Sequence, residues 1–251
     1  MPESNTVTAR SNVVWITGAG SGMGRAVAES AARGGFLVAL SGRRADALEE
    51  TASIVRNAGG QALVVPMDAT SDTEVGAAAG LIERELGPVS HLVLSAGLNA
   101  PRRYWRDQSM NDFSAIVQTN LIGAASVISA VLPGMRARSN GVVVLVSSYS
   151  GWRFSPDAGV AYSASKSALG SLAETLNAQE NVNGVRACHL CPGDVDTDFL
   201  AMRPRVPGES ERESMLSPAD IARAVQFVLD SPAHVCINEL VISPTKSRLT
   251  S

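Results

Sequence analysis

Residues 13–24 read VVWITGAGSGMG, an unbroken apolar run that ends in a glycine-rich turn. Strand-forming residues with no polar alternation are expected of a strand covered on both faces, as in a parallel sheet. The segment that follows, about 22–34, has the amphipathic spacing of a helix. Glycine at 18, 22 and 24 lets the backbone turn tightly, approach a pyrophosphate closely and pack the helix near the strand. The helix N-terminus then offers unpaired N–H groups and a positive dipole end to the anion. Strand, glycine turn and helix in this order predict a nucleotide-binding loop made by Gly18, Ser21, Gly22, Met23 and Gly24.

The alternation continues outward from this loop. Further apolar runs at 36–41, 62–67, 91–96, 142–148, 185–190 and 237–243 are separated by helical stretches near 45–58, 71–86, 111–138, 158–181 and 218–230. Ser71 or Asp72 is placed to cap the third helix, and Ser217-Pro218 opens the last. Strands alternating with helices predict an α/β fold: a Rossmann-like, doubly wound parallel sheet of about seven strands with helices on both faces. No linker interrupts the chain. We expect a single domain over 1–251, with residues 1–11 as a mobile N-terminal arm.

Composition narrows the function classes. A hydrophobic fraction of 45% in 251 residues allows a substantial core. The net charge of −3, with no long basic run, argues against nucleic acid as a partner. No uninterrupted apolar segment approaches the roughly 18 residues that span a bilayer, and the first twelve residues lack the apolar stretch of a secretory signal. Membrane association is therefore not expected. Three cysteines suit a reducing compartment better than a disulfide framework, so a cytoplasmic location is expected. Two strongly apolar helical stretches, 113–135 and 158–177, read equally well as packed core or as a subunit interface, and a homodimer or homotetramer is the expected assembly.

The end of the second strand reads the nucleotide. An NAD site usually places a carboxylate there for the adenosine ribose. This chain has Ser41-Gly42-Arg43-Arg44 instead. Arg43 and Arg44 suit a 2′-phosphate, because a guanidinium stays charged and donates two parallel hydrogen bonds. NADP is thus expected, with NAD as the alternative. Asp68, at the end of the third strand, is placed to accept from the adenine amino group, with Ala69 beside it.

The chemistry is carried by AYSASK at 161–166. Tyr162 and Lys166 are four apart and share one helix face. A free tyrosine titrates near 10, and a neighbouring ammonium favours its phenolate. Together with TGAGSGMG, VQTNLIG, VLVSSYSG and CPGDVDT, this segment resembles the short-chain dehydrogenase/reductase family over essentially the whole chain. The resemblance implies an oxidoreductase that moves hydride between nicotinamide and a small carbonyl or secondary alcohol. It implies that Tyr162 is the general acid/base, that Lys166 binds the nicotinamide ribose and lowers the Tyr162 pKa, and that Ser148 polarises the substrate oxygen. Asn120 would hold a relay water. Ser147 is the alternative to Ser148, with Gly151 favouring Ser148. Ala96 and Gly97 would line the cofactor, although LSAG at 94–97 lacks the family's asparagines. Trp152 and Phe154, lying between Ser148 and Tyr162 in sequence, are the expected substrate contacts. Trp105, Tyr149 and the segment 199–216 are further candidates to line or cover the pocket. The alternative function is a catalytically silent NADP(H)-binding sensor on the same fold.

CHLCPG at 188–193 has the spacing of a metal or dithiol site. On a strand, however, Cys188 and Cys191 point to opposite faces, so no metal is expected. The Pro192-Gly193 turn resembles the family's, in which Val195 would meet the carboxamide and Thr197 would hydrogen-bond the cofactor.

Overall fold

The computed structural model describes residues 12–245; the expected N-terminal arm, 1–11, lies outside them. Seven strands form one sheet: β1 (Val13–Thr17), β2 (Leu37–Gly42), β3 (Gln61–Pro66), β4 (Val89–Leu94), β5 (Gly141–Val146), β6 (Val185–Pro192) and β7 (Glu239–Ile242). Their spatial order is β3-β2-β1-β4-β5-β6-β7, and every neighbouring pair is parallel. The order reverses between β1 and β4, which is where a doubly wound sheet opens its ligand crevice.

The unbroken apolar strands are explained by two cores. Val14 and Ile16 of β1 pack in one cluster, and Val13 and Trp15 in the other, because alternate side chains face opposite sides. The first cluster also takes in side chains of α1 (Gly22–Arg33), α2 (Ala45–Asn57) and, much later in the chain, α9 (Pro218–Leu229). The second takes in α3 (Asp72–Glu85), α5 (Gly123–Arg138) and α7 (Val160–Glu180). Trp15 is wholly buried, and its indole N–H donates to Ser41 Oγ at 2.8 Å, so the polar tip is satisfied inside the core.

Caps behave as the sequence suggests. Ser71 Oγ accepts from Glu74 N at 3.3 Å. Ser217 and Asp220 form a reciprocal capping box, with Pro218 in the first turn of α9. Two short helices, α6 (Tyr149–Trp152) and α8 (Glu209–Arg212), fall in segments with no helical period.

The stretch expected as one helix over 111–138 is one helix that contains a π turn. α4 (Met110–Val117) passes through a π turn (Gln118–Ile122) into α5. The continuous helix Met110–Arg138 is, by length and composition alone, long and apolar enough to cross a membrane. Polar residues such as Gln118 and Asn120 break the apolar run in sequence, but the helix continues through them. Ala124, Val127, Ile128, Val131 and Met135 pack against the sheet, as in a core helix.

Candidate active site

A cleft of about 1140 Å³ runs across the carboxyl ends of the strands, from the β1–α1 turn to the first turn of α7. Its floor at the first end is the glycine turn. Gly18 and Gly22 have φ of +66° and +51°, a left-handed conformation that favours glycine. A Cβ on Gly24 would lie 2.2 Å from Gly18 O, and one on Gly18 2.8 Å from Ala96 N. Only glycine fits this cradle. Ser21 gives α1 no side-chain cap, which leaves the first N–H groups of the helix for an anion. Arg25 fixes the turn from behind, donating to Gly20 O at 2.7 Å and Thr51 Oγ1 at 3.0 Å. Met23 packs against the core below.

Arg43 and Arg44 follow β2 at the rim, both exposed, and neither has a carboxylate within 4.0 Å among the described residues. Asp68 lines the same end. Its Oδ1 accepts from Thr70 N at 2.9 Å and Thr70 Oγ1 at 2.8 Å, and these bonds, the backbone one foremost, hold its pKa below the usual value. Ala69 packs under Gly123. Thr17 Oγ1 accepts from Ala96 N at 3.3 Å, a tie across the β4 exit that survives the missing asparagine side chains.

The other end gathers Ser148, Tyr162 and Lys166. Ser148 is the N-cap of α6, its Oγ accepting from Ser150 N at 3.3 Å, and it lines the cleft beside Tyr162. Ser147 is buried and donates to Lys166 O at 2.9 Å, which takes it out of the cleft's chemistry. Burial raises the Tyr162 pKa above its ordinary value; the neighbouring Ser148 hydroxyl and then the guanidiniums of Arg103 and Arg203 pull the other way. Lys166 Nζ donates to Val146 O at 2.7 Å, 5.8 Å from the Tyr162 ring centre, and burial lowers its own pKa to about 8. Arg103 and Arg203 thus join Lys166 among the cations near this phenol.

Asn120 sits in the π turn with its amide committed. Oδ1 accepts from Leu98 N at 2.7 Å, while Nδ2 donates to Leu98 O at 3.0 Å and Ser165 Oγ at 3.1 Å. The side chain clamps the segment after Gly97. A Cβ on Gly97 would nevertheless stand 3.8 Å from both Asn120 Oδ1 and Lys166 Nζ, so the two groups face one spot. Pro192, Gly193, Val195 and Thr197 line the cleft opposite. Gly193 N donates to Ile242 O at 2.7 Å, and the Thr197 methyl lies 3.2 Å from where a Cβ on Gly22 would be, which joins this wall to the glycine turn.

Trp152 and Phe154, expected at the substrate, do not line the cleft. α6 turns Trp152 outward, where its ring meets Tyr149 edge-on at 5.4 Å and Arg153 lies over it at 4.5 Å. Phe154 is 85% exposed and Trp105 83% exposed. The substrate end is walled instead by Asn99, Arg103, Tyr104, Tyr149, Phe199 and Met202. The segment 199–216 does cover the cleft through its first half, from Phe199 to Pro207.

Cys188 lies in the core beneath α1 and α9, whereas Cys191 shares the other face with His189, so the cysteines do diverge. Glu239, the β7 partner of His189, completes a His189–Cys191–Glu239 group that the local spacing does not reveal. Cys191 Sγ stands 3.4 and 3.6 Å from the two ring nitrogens of His189. Burial pushes both thiols up to about 12, which keeps them neutral and unreactive.

A family model described as short chain dehydrogenase matches residues 12–205. The chain belongs to that family. Over 237 residues it is 35% identical to glycine betaine reductase ATRR of Emericella nidulans, covering 92% of this chain but only 18% of that much longer protein. An uncharacterized oxidoreductase of Staphylococcus saprophyticus is 32% identical, covering 95% of this chain and 99% of its own. An alcohol dehydrogenase from Thermococcus sibiricus, complexed with 5-hydroxy-NADP, superimposes with a TM-score of 0.84 at 29% identity, covering 94% and 98% of the two chains. This short-chain dehydrogenase is accordingly an oxidoreductase of nicotinamide type.

Proposed function

We propose that the chain is an NADP-dependent oxidoreductase that moves hydride between nicotinamide and a small carbonyl or secondary-alcohol carbon. One observation carries the reading: among the described residues, a single cleft has two guanidiniums with no carboxylate within 4.0 Å at the end of β2 and brings Ser148, Tyr162 and Lys166 together at its far end. The glycine cradle and the open N-terminus of α1 fit a pyrophosphate between them. The NADP-type ligand of the Thermococcus enzyme supports the cofactor class.

The nicotinamide, when bound, supplies or accepts the hydride. Tyr162 gives a proton to the carbonyl oxygen on reduction and removes it from the alcohol on oxidation. Ser148 donates to the same oxygen and polarises it. Lys166, buried beside the Gly97 backbone, is placed for the ribose hydroxyls, and Asn120 holds the backbone wall in place. Arg43 and Arg44 bind the 2′-phosphate.

The test is cofactor titration of the Arg43→Ala, Arg44→Ala double variant. Charge-assisted hydrogen bonds of about 1.5–3 kcal/mol predict a loss in NADPH affinity of roughly ten- to a hundredfold, with NADH affinity little changed. Equal losses for the two cofactors contradict the NADP assignment.

A further inference from the structure

Arginines line both ends of the cleft. Arg203 pairs with Asp194, and Arg205 with Glu211. Among the described residues, Arg43, Arg44 and Arg103 have no carboxylate within 4.0 Å. The first two stand in water, whereas Arg103 is only 4% exposed. A buried charge normally comes with a counter-ion, because desolvation is costly. Arg103 is held by backbone carbonyls alone. Nε donates to Ala100 O at 2.8 Å, Nη1 reaches Asp157 O and Ala158 O at 3.4 and 3.5 Å, and Nη2 donates to Met202 O. Carbonyl dipoles solvate a guanidinium without neutralising it.

Asp157 favours the Arg103 charge from a distance, but among the described residues no acid pairs with it within 4.0 Å. Tyr104 donates its hydroxyl to the Asp157 carboxylate at 3.3 Å, and Asp194 is taken by Arg203. The backbone is shaped around Arg103. Gly159 has φ of +95°, and a Cβ there would lie 2.7 Å from Arg103 Cβ. Val160 N donates to Arg103 O at 2.9 Å, two residues before Tyr162. The cation, unpaired within 4.0 Å among the described residues, is thereby anchored beside the reacting phenol, and its field reaches that phenol.

We propose that Arg103 recognises an oxyanion on the substrate, so that the carbonyl compound turned over at Tyr162 also carries a carboxylate or a phosphate monoester. Arg203, on the covering segment, is the second cation facing this position. The inference rests on the oxidoreductase reading and adds the substrate class to it. The same contacts also clamp residues 100, 157, 158 and 202 together, and a purely structural clamp makes a different prediction.

The experiment compares NADPH-dependent kcat/KM on matched pairs: levulinate and succinic semialdehyde, each against its methyl ester, and dihydroxyacetone phosphate against dihydroxyacetone. The wild-type enzyme is expected to prefer the anion of at least one pair by about tenfold or more, and the pair that responds tells carboxylate from phosphate. Arg103→Met collapses that ratio, whereas a clamp alone lowers both members of a pair equally. A wild-type ratio of one or less in every pair, or equal losses in the variant, overturns the proposal. The wild-type ratios decide the matter even if Arg103→Met fails to fold. If none of the compounds turns over, the oxidoreductase reading has failed for them. The anion site is then judged by thermal shift of the NADPH complex: stabilisation by an anion but not its neutral partner supports it, and no difference overturns it.

Discussion

The two ends of the cleft hold the same kind of charge in opposite surroundings. At the end of β2, Arg43 and Arg44 stand in solvent, where a guanidinium is well hydrated and binds only what brings several phosphate oxygens to it. At the other end, Arg103 is stripped of water, and burial lowers its pKa from the usual value. A charge in low dielectric acts over a longer range, and here it reaches the Tyr162 phenol. In the proposed function the exposed pair selects a cofactor, and in the proposed anion site the buried one shapes reactivity and the choice of substrate. Substitutions at the two ends should therefore separate cleanly, one moving cofactor affinity and the other moving turnover.

The largest effect is expected at Tyr162. Tyr162→Phe removes the proton donor, and turnover should fall by about 10²–10⁴-fold while NADPH binding, read by nucleotide fluorescence, persists. Parallel loss of both would mean that the two ends are not independent. Next come the glycines that shape each end. Gly24→Ala forces a Cβ against Gly18 O and should weaken NADPH binding and lower the melting temperature, an overpacking cost of about 1–3 kcal/mol. Gly159→Ala combines a backbone conformation that is essentially glycine's alone, φ +95° and ψ 155°, with a 2.7 Å contact to Arg103, a cost of about 1–3 kcal/mol for the backbone alone. It should reduce kcat/KM for the carbonyl substrate and leave NADPH affinity near wild type. If Gly159→Ala weakened the cofactor as much as Gly24→Ala does, the division between the ends would be broken.

The smallest effect on activity belongs to His91, remote from the cleft in β4. Burial lowers its pKa from 6.5 to about 4, so the unfolded chain binds more protons than the folded one between those values. Stability is retained above pH 6.5 and is lost as pH falls towards 4, by up to about 3 kcal/mol. His91→Leu should flatten this part of the melting curve against pH. An unchanged slope would assign the acid sensitivity to other groups.

What could be read from the sequence followed locality. The glycine turn, the Tyr162–Lys166 spacing and the seven-stranded alternation are short-range patterns whose geometry follows from period and conformation, and the elements fall within two or three residues of their expected ends. β4 begins at Val89 rather than 91 because Pro88 and Ser90 do not look strand-like. The π turn has no sequence period of its own. Trp152 and Phe154 were expected at the substrate because they lie between Ser148 and Tyr162, but nearness in sequence does not survive one turn of helix at 149–152. Arg103 is the instructive case. PRRYW at 101–105 offers two adjacent arginines after β4, and only the packing of Gly159, Ala158 and Met202 around one of them decides that Arg102 is exposed and Arg103 buried. His189, Cys191 and Glu239 converge for the same kind of reason, through the register of β6 on β7.

The central claim is tested most directly by following nicotinamide absorbance while the wild-type protein acts on a panel of aldehydes, ketones and oxo acids, with NADPH and NADH run side by side. The account predicts consumption of NADPH with kcat/KM about tenfold or more above that with NADH. Equal rates with the two cofactors, or a faster rate with NADH, would contradict it.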